Sequence, residues 1–256
     1  MAFLVTCEHG SNQVPTWLED HFAHVQNSVA TDPDSVLSRE AFDVGALDAA
    51  TSLARHLRCP LLAAKFSPVV VDVNRTLQQR SVFSPVTRRL STKQRNRIVS
   101  EIHEPYRKTL ESTVERLFRK DELVIHLSVR SFATFESAQS PETEDRTLTA
   151  RRTDLGLLYD PSRRYELALC LDWYDDLFYS VPMLRVRRNY PRRTVAQSLM
   201  SAMRLKYSDD CYIGVELQLN RAWCVRNVPV RNRVFSGIAK SLLRLCNGAK
   251  QDQEAA

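Results

Sequence analysis

The chain has 256 residues, 43% of them hydrophobic and 26% charged, which is ordinary usage for a globular protein and excludes fibrous and disordered classes. With a mean hydropathy of -0.33 and no apolar run near the roughly 18 residues of a membrane span, we expect a cytoplasmic protein without a membrane partner. The net charge is +6, and 29 of the 36 basic residues are arginines, which form paired hydrogen bonds with carboxylates and phosphates.

The first half of the chain is predicted to alternate short apolar strands with amphipathic helices. A strand over 3–6 runs into the polar sequence Cys7-Glu8-His9-Gly10. Apolar residues then recur at helical spacing from Asp43, the expected N-cap, to Leu57. Further strands are predicted over 61–64 and 69–73, the second because it is rich in β-branched residues.

The second half repeats this alternation. Helices interrupted by Pro105 are predicted between 91 and 120, and a strand over 123–129 ends in Arg130-Ser131-Phe132. The polar stretch 136–153 has no periodicity and is expected to form a long loop. Whether this loop is a lid over a site is left open by the sequence. The remaining elements are strands over 155–159, 183–186 and 212–217 and helices over 165–178, 194–205 and 234–245, the last closed by Gly248. The predicted buried face of helix 165–178 consists of Leu167, Leu171, Tyr174 and Leu177.

Strands that alternate with helices predict an α/β fold: a mixed, mostly parallel central sheet flanked by helices on both faces. No internal repeat or change in composition divides the sequence. We therefore expect a single domain over 1–248 followed by a flexible tail over 249–256. The six cysteines have no CxxC pair and no zinc-finger spacing, so they are expected to be reduced.

Polar residues cluster at the ends of the predicted strands. Glu8 and His9 follow the first strand, Asp72 to Arg75 end another, and Glu216 lies in an apolar run, a setting suited to a general base. A buried charge without a partner costs several kcal/mol, so these groups need a salt bridge, a metal ion or a substrate. Internal salt bridges and a functional site both satisfy that need. His126, which alternates with apolar neighbours, is assigned to the core or to a supporting hydrogen bond.

Several common catalytic motifs are missing from the sequence. With 6 glycines, it contains neither GxGxxG nor a P-loop, which argues against the common nucleotide-dependent reactions. The nucleophile elbow and the HExxH and deaminase zinc motifs are also absent. Basic residues are scattered apart from the run RRNYPRR over 187–193, so no nucleic-acid partner is expected.

Six blocks of the sequence resemble, in order and approximate spacing, the N-formylglutamate amidohydrolase family, which is similar to the zinc carboxypeptidases. The resemblance spans roughly residues 3–222. The blocks are TCEHGSNQVP (6–15), SPVVVDVNR (67–75), HLSVRSFAT (126–134), DLGLLYDP (154–161), RVRRNYP (185–191) and YIGVELQLN (212–220). This resemblance implies a carboxypeptidase-like α/β fold and hydrolysis of an N-formyl or N-acyl amino acid by a metal-activated water.

The resemblance also implies roles for individual residues. His9 matches the first metal-ligand position, with Glu8 or Asp43 as a carboxylate ligand. Asn74 and Arg75 match a pair that binds a substrate carboxylate. Glu216 stands where a late-strand glutamate serves as general base toward metal-bound water.

Departures from the family pattern affect the metal site most. Arg130 replaces the histidine of an HSF motif, and arginine is a donor that cannot ligate a metal. Ser38 stands where relatives commonly have histidine, so the third of the usual three zinc ligands is missing. Arg130 and Ser131 are then assigned to substrate binding.

Two functions remain open from the sequence. In the first, the chain is a Zn²⁺-dependent amidohydrolase acting on an N-acyl amino acid such as N-formylglutamate. In the second, it is a catalytically inactive relative in which Arg130 takes the place of the metal and the pocket binds an anionic ligand. A small anionic N-acyl amino acid is the expected partner of the enzyme, and the inactive relative would bind an anionic ligand. The sequence specifies neither the exact substrate nor the oligomeric state.

Overall fold

A computed structural model describes residues 1–22, 42–132, 153–191 and 198–254 of the chain. The strands are β1 (Ala2–Cys7), β2 (Leu61–Ala63), β3 (Val124–Phe132), β4 (Leu155–Leu158), β5 (Val186–Arg188) and β6 (Tyr212–Asn220). The α-helices are α1 (Ala46–Leu57), α2 (Thr92–Ile98), α3 (Glu104–Phe118), α4 (Arg164–Ser180), α5 (Leu199–Lys206), α6 (Arg221–Cys224) and α7 (Val228–Glu254). A π-helical turn, Val99–His103, joins α2 to α3 just before Pro105, where the sequence predicts an interruption.

All six strands belong to one sheet in the order β2-β1-β3-β6-β4-β5. β1 is parallel to β2 and β3, and β3 is parallel to β6, whereas β4 runs antiparallel to β6 and parallel to β5. Helices α1, α4 and α7 pack on one face and α2, α3 and α5 on the other. The predicted mixed, mostly parallel α/β fold is confirmed. Within the described ranges, no helix is both long and apolar enough to cross a membrane.

The two faces of the sheet differ in polarity because side chains alternate along each strand. On β3, Leu127 and Val129 join the apolar core against α1, whereas His126, Ser128 and Arg130 point to the opposite face. All five side chains are buried. The same alternation along β1 and β6 collects polar residues on the α3 side of the sheet, toward the carboxyl ends of its parallel strands.

The predicted strand over 69–73 is wrong. The segment is a series of turns, in which Val70 N–H donates to Ser67 and Arg75 N–H donates to Asp72. Val70 and Val71 are nevertheless almost fully buried against the α3 side of the sheet. Here the β-branched composition reflects burial rather than strand pairing.

The register of helix α4 differs from the predicted one. Its buried residues are Glu166, Cys170, Trp173 and Leu177, whereas Leu171 is exposed. The buried face of α4 thus includes a charged side chain, Glu166, which the apolar pattern of the sequence does not reveal.

Several predicted boundaries also move. The strand predicted over 183–186 is β5, Val186–Arg188, and the helix predicted over 234–245 is α7, which continues past Gly248 to Glu254. The expected end of that helix at Gly248 is therefore wrong. Residues 136–152 of the predicted loop and the start of the helix predicted over 194–205 lie outside the described residues, and the flexible tail stays a prediction. All six cysteines are free thiols.

Glu166 forms ion pairs with Arg204 and, at 3.2 Å, with Arg163, and the buried pair with Arg204 connects three elements of the fold. The Arg204 Nε lies 2.9 Å from Glu166 Oε1, and Arg204 Nη2 donates to the Gly214 carbonyl at 2.8 Å. Glu166 in turn accepts backbone hydrogen bonds from Gly214 and Asp160. Glu166 is 0% exposed, so a desolvated carboxylate with two arginine partners links α4, α5 and β6.

We expect Glu166→Ala to lower the free energy of unfolding by about 3–5 kcal/mol, because it leaves Arg204 buried without a counter-charge. Urea unfolding followed by circular dichroism measures this change. The double variant Glu166→Leu with Arg204→Met should recover part of the loss, since no charge is left at position 204 and Arg163 keeps its contact with Asp209. A loss below about 1 kcal/mol in the single variant would contradict the assigned role.

Candidate functional site

The candidate site lies where the parallel strands β1, β3 and β6 reach their carboxyl ends. β1 ends at Cys7, so Glu8 and His9 leave the sheet there. Ser128 of β3 pairs in register with Glu216 of β6, and Arg130 follows two residues later on the same face. In open α/β sheets, binding sites lie at the carboxyl ends of the strands, which we call the strand-end rule. The structure brings these residues together at that edge of the sheet.

Arg130 lies at the centre of this cluster. Its Nε donates to Asp43 Oδ2 at 2.6 Å, and its Nη2 contacts His9 Nδ1 at 2.6 Å. Arginine can only donate, so we assign His9 Nδ1 as the acceptor and place the ring proton on Nε2. The Nε2–H group then donates to Asp72 Oδ1 at 2.8 Å. Both ring nitrogens of His9 are therefore engaged by protein groups.

Arg75 extends this chain of contacts toward the surface. Its Nε donates to Asp72 Oδ2 at 3.1 Å, and its side chain remains 32% exposed. The imidazole of His103, which ends the π-helical turn, donates from Nε2 to the Arg75 carbonyl at 2.8 Å. Arg107 of α3 donates to the Val73 carbonyl at 3.3 Å. His103 and Arg107 thus hold the backbone of residues 73–75 in place by hydrogen bonds.

Opposite charges within the cluster keep Arg130, Asp43 and Asp72 ionised. Burial lowers the pKa of Arg130, but the carboxylates of Asp43 and Glu216 more than offset this, and the net pKa is raised. Burial raises the pKa of Asp43, which Arg130 then lowers below the ordinary 3.8. For Asp72, burial again raises the pKa, while His9 and the two arginines lower it well below 3.8.

Asp43 does not serve as the predicted N-cap of α1. The helix begins at Ala46 with Gly45 as N-cap, in a left-handed conformation with φ of 75°. The Asp43 carboxylate instead accepts from Arg130 and, at 3.3 Å, from the Ser131 N–H. Because the Asp43 side chain binds Arg130 and Ser131, it does not cap the helix, and α1 has no side-chain cap.

Glu8 is held by hydroxyl groups beneath the cluster. Thr6 Oγ1 donates to Glu8 Oε1 at 2.5 Å, and Ser128 Oγ donates to Oε2 at 2.7 Å. Thr6 Oγ1 also contacts His126 Nε2 at 2.8 Å, and His126 Nδ1 lies 2.6 Å from the Tyr212 hydroxyl. Burial lowers the pKa of His126 to about 3, so the ring is neutral at pH 7. The predicted supporting hydrogen bond of His126 is confirmed.

Three further predicted site residues have partners within the protein. Glu216 accepts a short hydrogen bond from Gln218 and faces the Arg130 charge. The Asn74 Oδ1 and backbone carbonyl both accept from the Leu199 N–H at the start of α5. Ser131 Oγ donates to the Val44 carbonyl at 3.0 Å. Glu216 and Asn74 organise the site, whereas His9, Arg75 and Ser131 border open space.

That open space is a pocket of about 650 Å³ lined by His9, Asp72 and Arg75 on the side of the cluster. Two arginines that sequence reasoning missed, Arg88 and Arg221, also line it. Neither arginine forms an ion pair with a carboxylate of the described residues. The Nε atom of each is buried and has no hydrogen-bond partner among those residues. Arg221 follows β6 directly, so the strand-end rule would have found it, whereas Arg88 lies in the short 3₁₀ helix Thr87–Arg89, which carries no such signal.

The residues present do not fit the metal ion implied by the family resemblance. A metal would need lone pairs of His9 and Asp43, and Arg130 donates to both. Glu8 directs its oxygens to Thr6 and Ser128 instead. Among residues 1–22, 42–132, 153–191 and 198–254, no three His, Cys, Asp or Glu side chains are arranged to hold a metal.

Comparisons with solved structures agree with this fold. The gene product Atu2144 of Agrobacterium tumefaciens is 20% identical, with a TM-score of 0.73 over 97% of this chain and 91% of that one. An N-formylglutamate amidohydrolase from Ralstonia eutropha JMP134 is 16% identical, with a TM-score of 0.66 over 98% and 94%. No curated protein matches the sequence. The family model for N-formylglutamate amidohydrolases matches residues 1–192, and the chain therefore belongs to the N-formylglutamate amidohydrolase family.

Proposed function

We propose that this chain binds a small N-acyl amino acid as an anion, at a centre organised by Arg130 in place of a metal ion. The observation that carries the proposal is the pair of 2.6 Å contacts from Arg130 to His9 and Asp43. They place a permanent positive charge among the residues that the family resemblance assigns to a metal. Because a guanidinium does not lower the pKa of a bound water as a metal does, this centre favours binding over hydrolysis.

The pocket itself favours an anionic ligand. Arg75 keeps its terminal nitrogens available, since its Asp72 contact uses Nε. Arg88 and Arg221 add two guanidiniums without carboxylate partners in the described parts of the chain. Guanidiniums bind carboxylates through paired hydrogen bonds, so a ligand with one or two carboxylates fits this lining.

A second candidate is metal-dependent amide hydrolysis, which family membership favours. It requires Arg130 to leave His9 and Asp43, and it requires Glu216 to act as the general base. Glu216 is 8% exposed and does not line the 650 Å³ pocket. The geometry therefore supports this candidate less well than anion binding.

Metal content separates the two candidates. We expect the purified wild-type protein, expressed with added zinc, to contain well under one metal ion per chain by mass spectrometry. Arg130→His should gain zinc, because the introduced imidazole, together with His9 and Asp43, would supply the three protein ligands of an open zinc site. Arg130→Met, which removes the guanidinium without adding a nitrogen ligand, is the matched control.

About one metal per wild-type chain, lost in His9→Ala, would overturn the proposal. Formate release from N-formylglutamate by the wild type, abolished in Glu216→Gln, would likewise establish the second candidate.

Ligand binding tests the pocket. We expect N-formyl-L-glutamate to bind the wild type in isothermal titration calorimetry, and Arg221→Ala to weaken binding by about 10- to 100-fold, the usual loss for a charged hydrogen bond. Arg226→Ala removes the same charge outside the pocket and should leave the dissociation constant unchanged. Equal losses in both variants would assign the effect to net charge rather than to the pocket.

The pH dependence of stability tests the Asp72 contacts. Its lowered pKa means that the stabilisation is complete above about pH 4 and is lost as pH falls through the folded-state pKa. Asp72→Asn should therefore cost about 1–3 kcal/mol at pH 7 and progressively less below pH 4. Thermal unfolding across this range measures the difference, with exposed Asp172→Asn as the control. A constant difference between pH 7 and pH 2 would contradict the assignment.

A further inference from the structure

A second cavity, of about 870 Å³, lies away from the candidate site. Every residue from Leu184 to Tyr190 lines it, and Tyr174 and Phe178 of α4 form the opposite wall together with Tyr159 and Pro182. We call this feature the edge groove. The side chains of consecutive strand residues point to alternate faces of the sheet. A cavity lined by seven consecutive residues therefore runs along the open edge of the strand.

Among the strands of the described ranges, β5 is the outermost on this side of the sheet. The Arg185 carbonyl accepts from Asp154, and the Asn189 N–H donates to Leu157, so the odd-numbered residues direct their backbone groups to β4. The N–H and C=O groups of Val186 and Arg188 therefore point outward, into the edge groove. Outward-facing groups of this kind are a template for a further strand.

The helix supplies the second wall of a peptide-binding groove. Tyr174 and Phe178 are four residues apart, so they lie on one face of α4. Phe178 is 64% exposed. A groove between a strand edge and a helix is one of the recurring geometries for binding an extended peptide, with the backbone paired to the strand and side chains directed to the helix.

The positive charge of the edge groove favours an acidic ligand. Arg188 lies over the ring of Tyr174 at 5.5 Å, and Arg187 lies over Tyr190 at 5.7 Å. Neither guanidinium forms an ion pair with a carboxylate in the described parts of the chain, whereas Arg185 is bound to Asp154 at 2.9 Å. A second copy paired along β5 would bring these arginines against their own equivalents, and like charges directly opposite destabilise strand pairs.

We infer that the edge groove binds an extended acidic peptide segment of a partner protein, which adds as a strand to β5. The outward backbone groups of Val186 and Arg188 supply the pairing, Arg187 and Arg188 supply the charge, and Tyr174 and Phe178 receive an apolar side chain. This inference is independent of the function proposed for the 650 Å³ pocket.

Fluorescence anisotropy with the full-length chain tests it. The probe is a fluorescein-labelled ten-residue peptide alternating glutamate with valine and phenylalanine. We expect saturable binding that weakens with salt. Two control peptides carry lysine in place of glutamate, or proline at every second apolar position, which removes strand pairing. Both should bind at least tenfold more weakly.

Two sets of variants locate the site. Arg187→Ala with Arg188→Ala should weaken binding of the glutamate peptide at least tenfold, and Phe178→Ala should weaken it several-fold. Arg55→Ala with Arg226→Ala removes two exposed arginines elsewhere, one of which lies over Trp223 at 4.1 Å, and should change nothing. Circular dichroism checks that each variant is folded.

Three outcomes overturn the inference. The first is no saturable binding, or binding that is equal for the lysine and proline peptides. The second is a dimer in analytical ultracentrifugation that Arg187→Ala with Arg188→Ala dissociates, which would make a second copy the occupant. The third is tighter binding of a labelled single-stranded oligonucleotide than of the peptide, which would assign the groove to nucleic acid.

Discussion

Burying the Arg130 guanidinium is costly, and the surrounding residues are arranged to offset that cost. Its Nε and Nη2 meet Asp43 and His9 at 2.6 Å, and the Glu216 and Asp72 carboxylates act on it through space. Removing any one partner leaves charge uncompensated in a desolvated site, which is the expensive case for a buried ion pair. The tautomer of His9, the position of Asp72 and the orientation of Arg75 all follow from this single cation.

The sheet makes such a cluster possible because its two faces have different roles. On one face, apolar side chains of β1, β3 and β6 form a continuous core with α1, α4 and α7. On the other, apolar residues near the amino ends give way to Thr6, His126, Ser128 and Glu216 toward the carboxyl ends. Each of these polar groups has a partner, as buried polar groups require. Stability and the site are thus assigned to different sides and different ends of the same strands.

Sequence patterns locate the site better than they describe its contacts. Glu8, His9, Arg130 and Glu216 can be found because polar residues at the ends of apolar runs must meet at the carboxyl edge of a parallel sheet. The turns over 69–73 cannot be found in this way, since β-branched residues indicate burial as readily as strand pairing.

Long-range ion pairs explain the other differences between sequence and structure. The local pattern predicts Asp43 as an N-cap and Leu171 as a core residue, but Arg130 binds Asp43, and α4 buries Glu166 against Arg204 while Leu171 is exposed. Such pairs join residues far apart in the chain, so no short window of sequence contains them. Arg88 is missed for a different reason, because its place in the pocket depends on how the short 3₁₀ helix Thr87–Arg89 packs against distant parts of the chain.

The π-helical turn between α2 and α3 connects helix geometry to the ligand pocket. A π turn accommodates one residue more than an α-helical turn, and each residue of an α-helix advances the side-chain direction by about 100°. Shortening Val99–His103 by one residue would therefore swing His103 away from the Arg75 carbonyl while leaving α3 able to pack on the sheet in another register. The position of Arg75 in the wall of the 650 Å³ pocket is thus tied to the length of a helical turn that does not itself line the pocket.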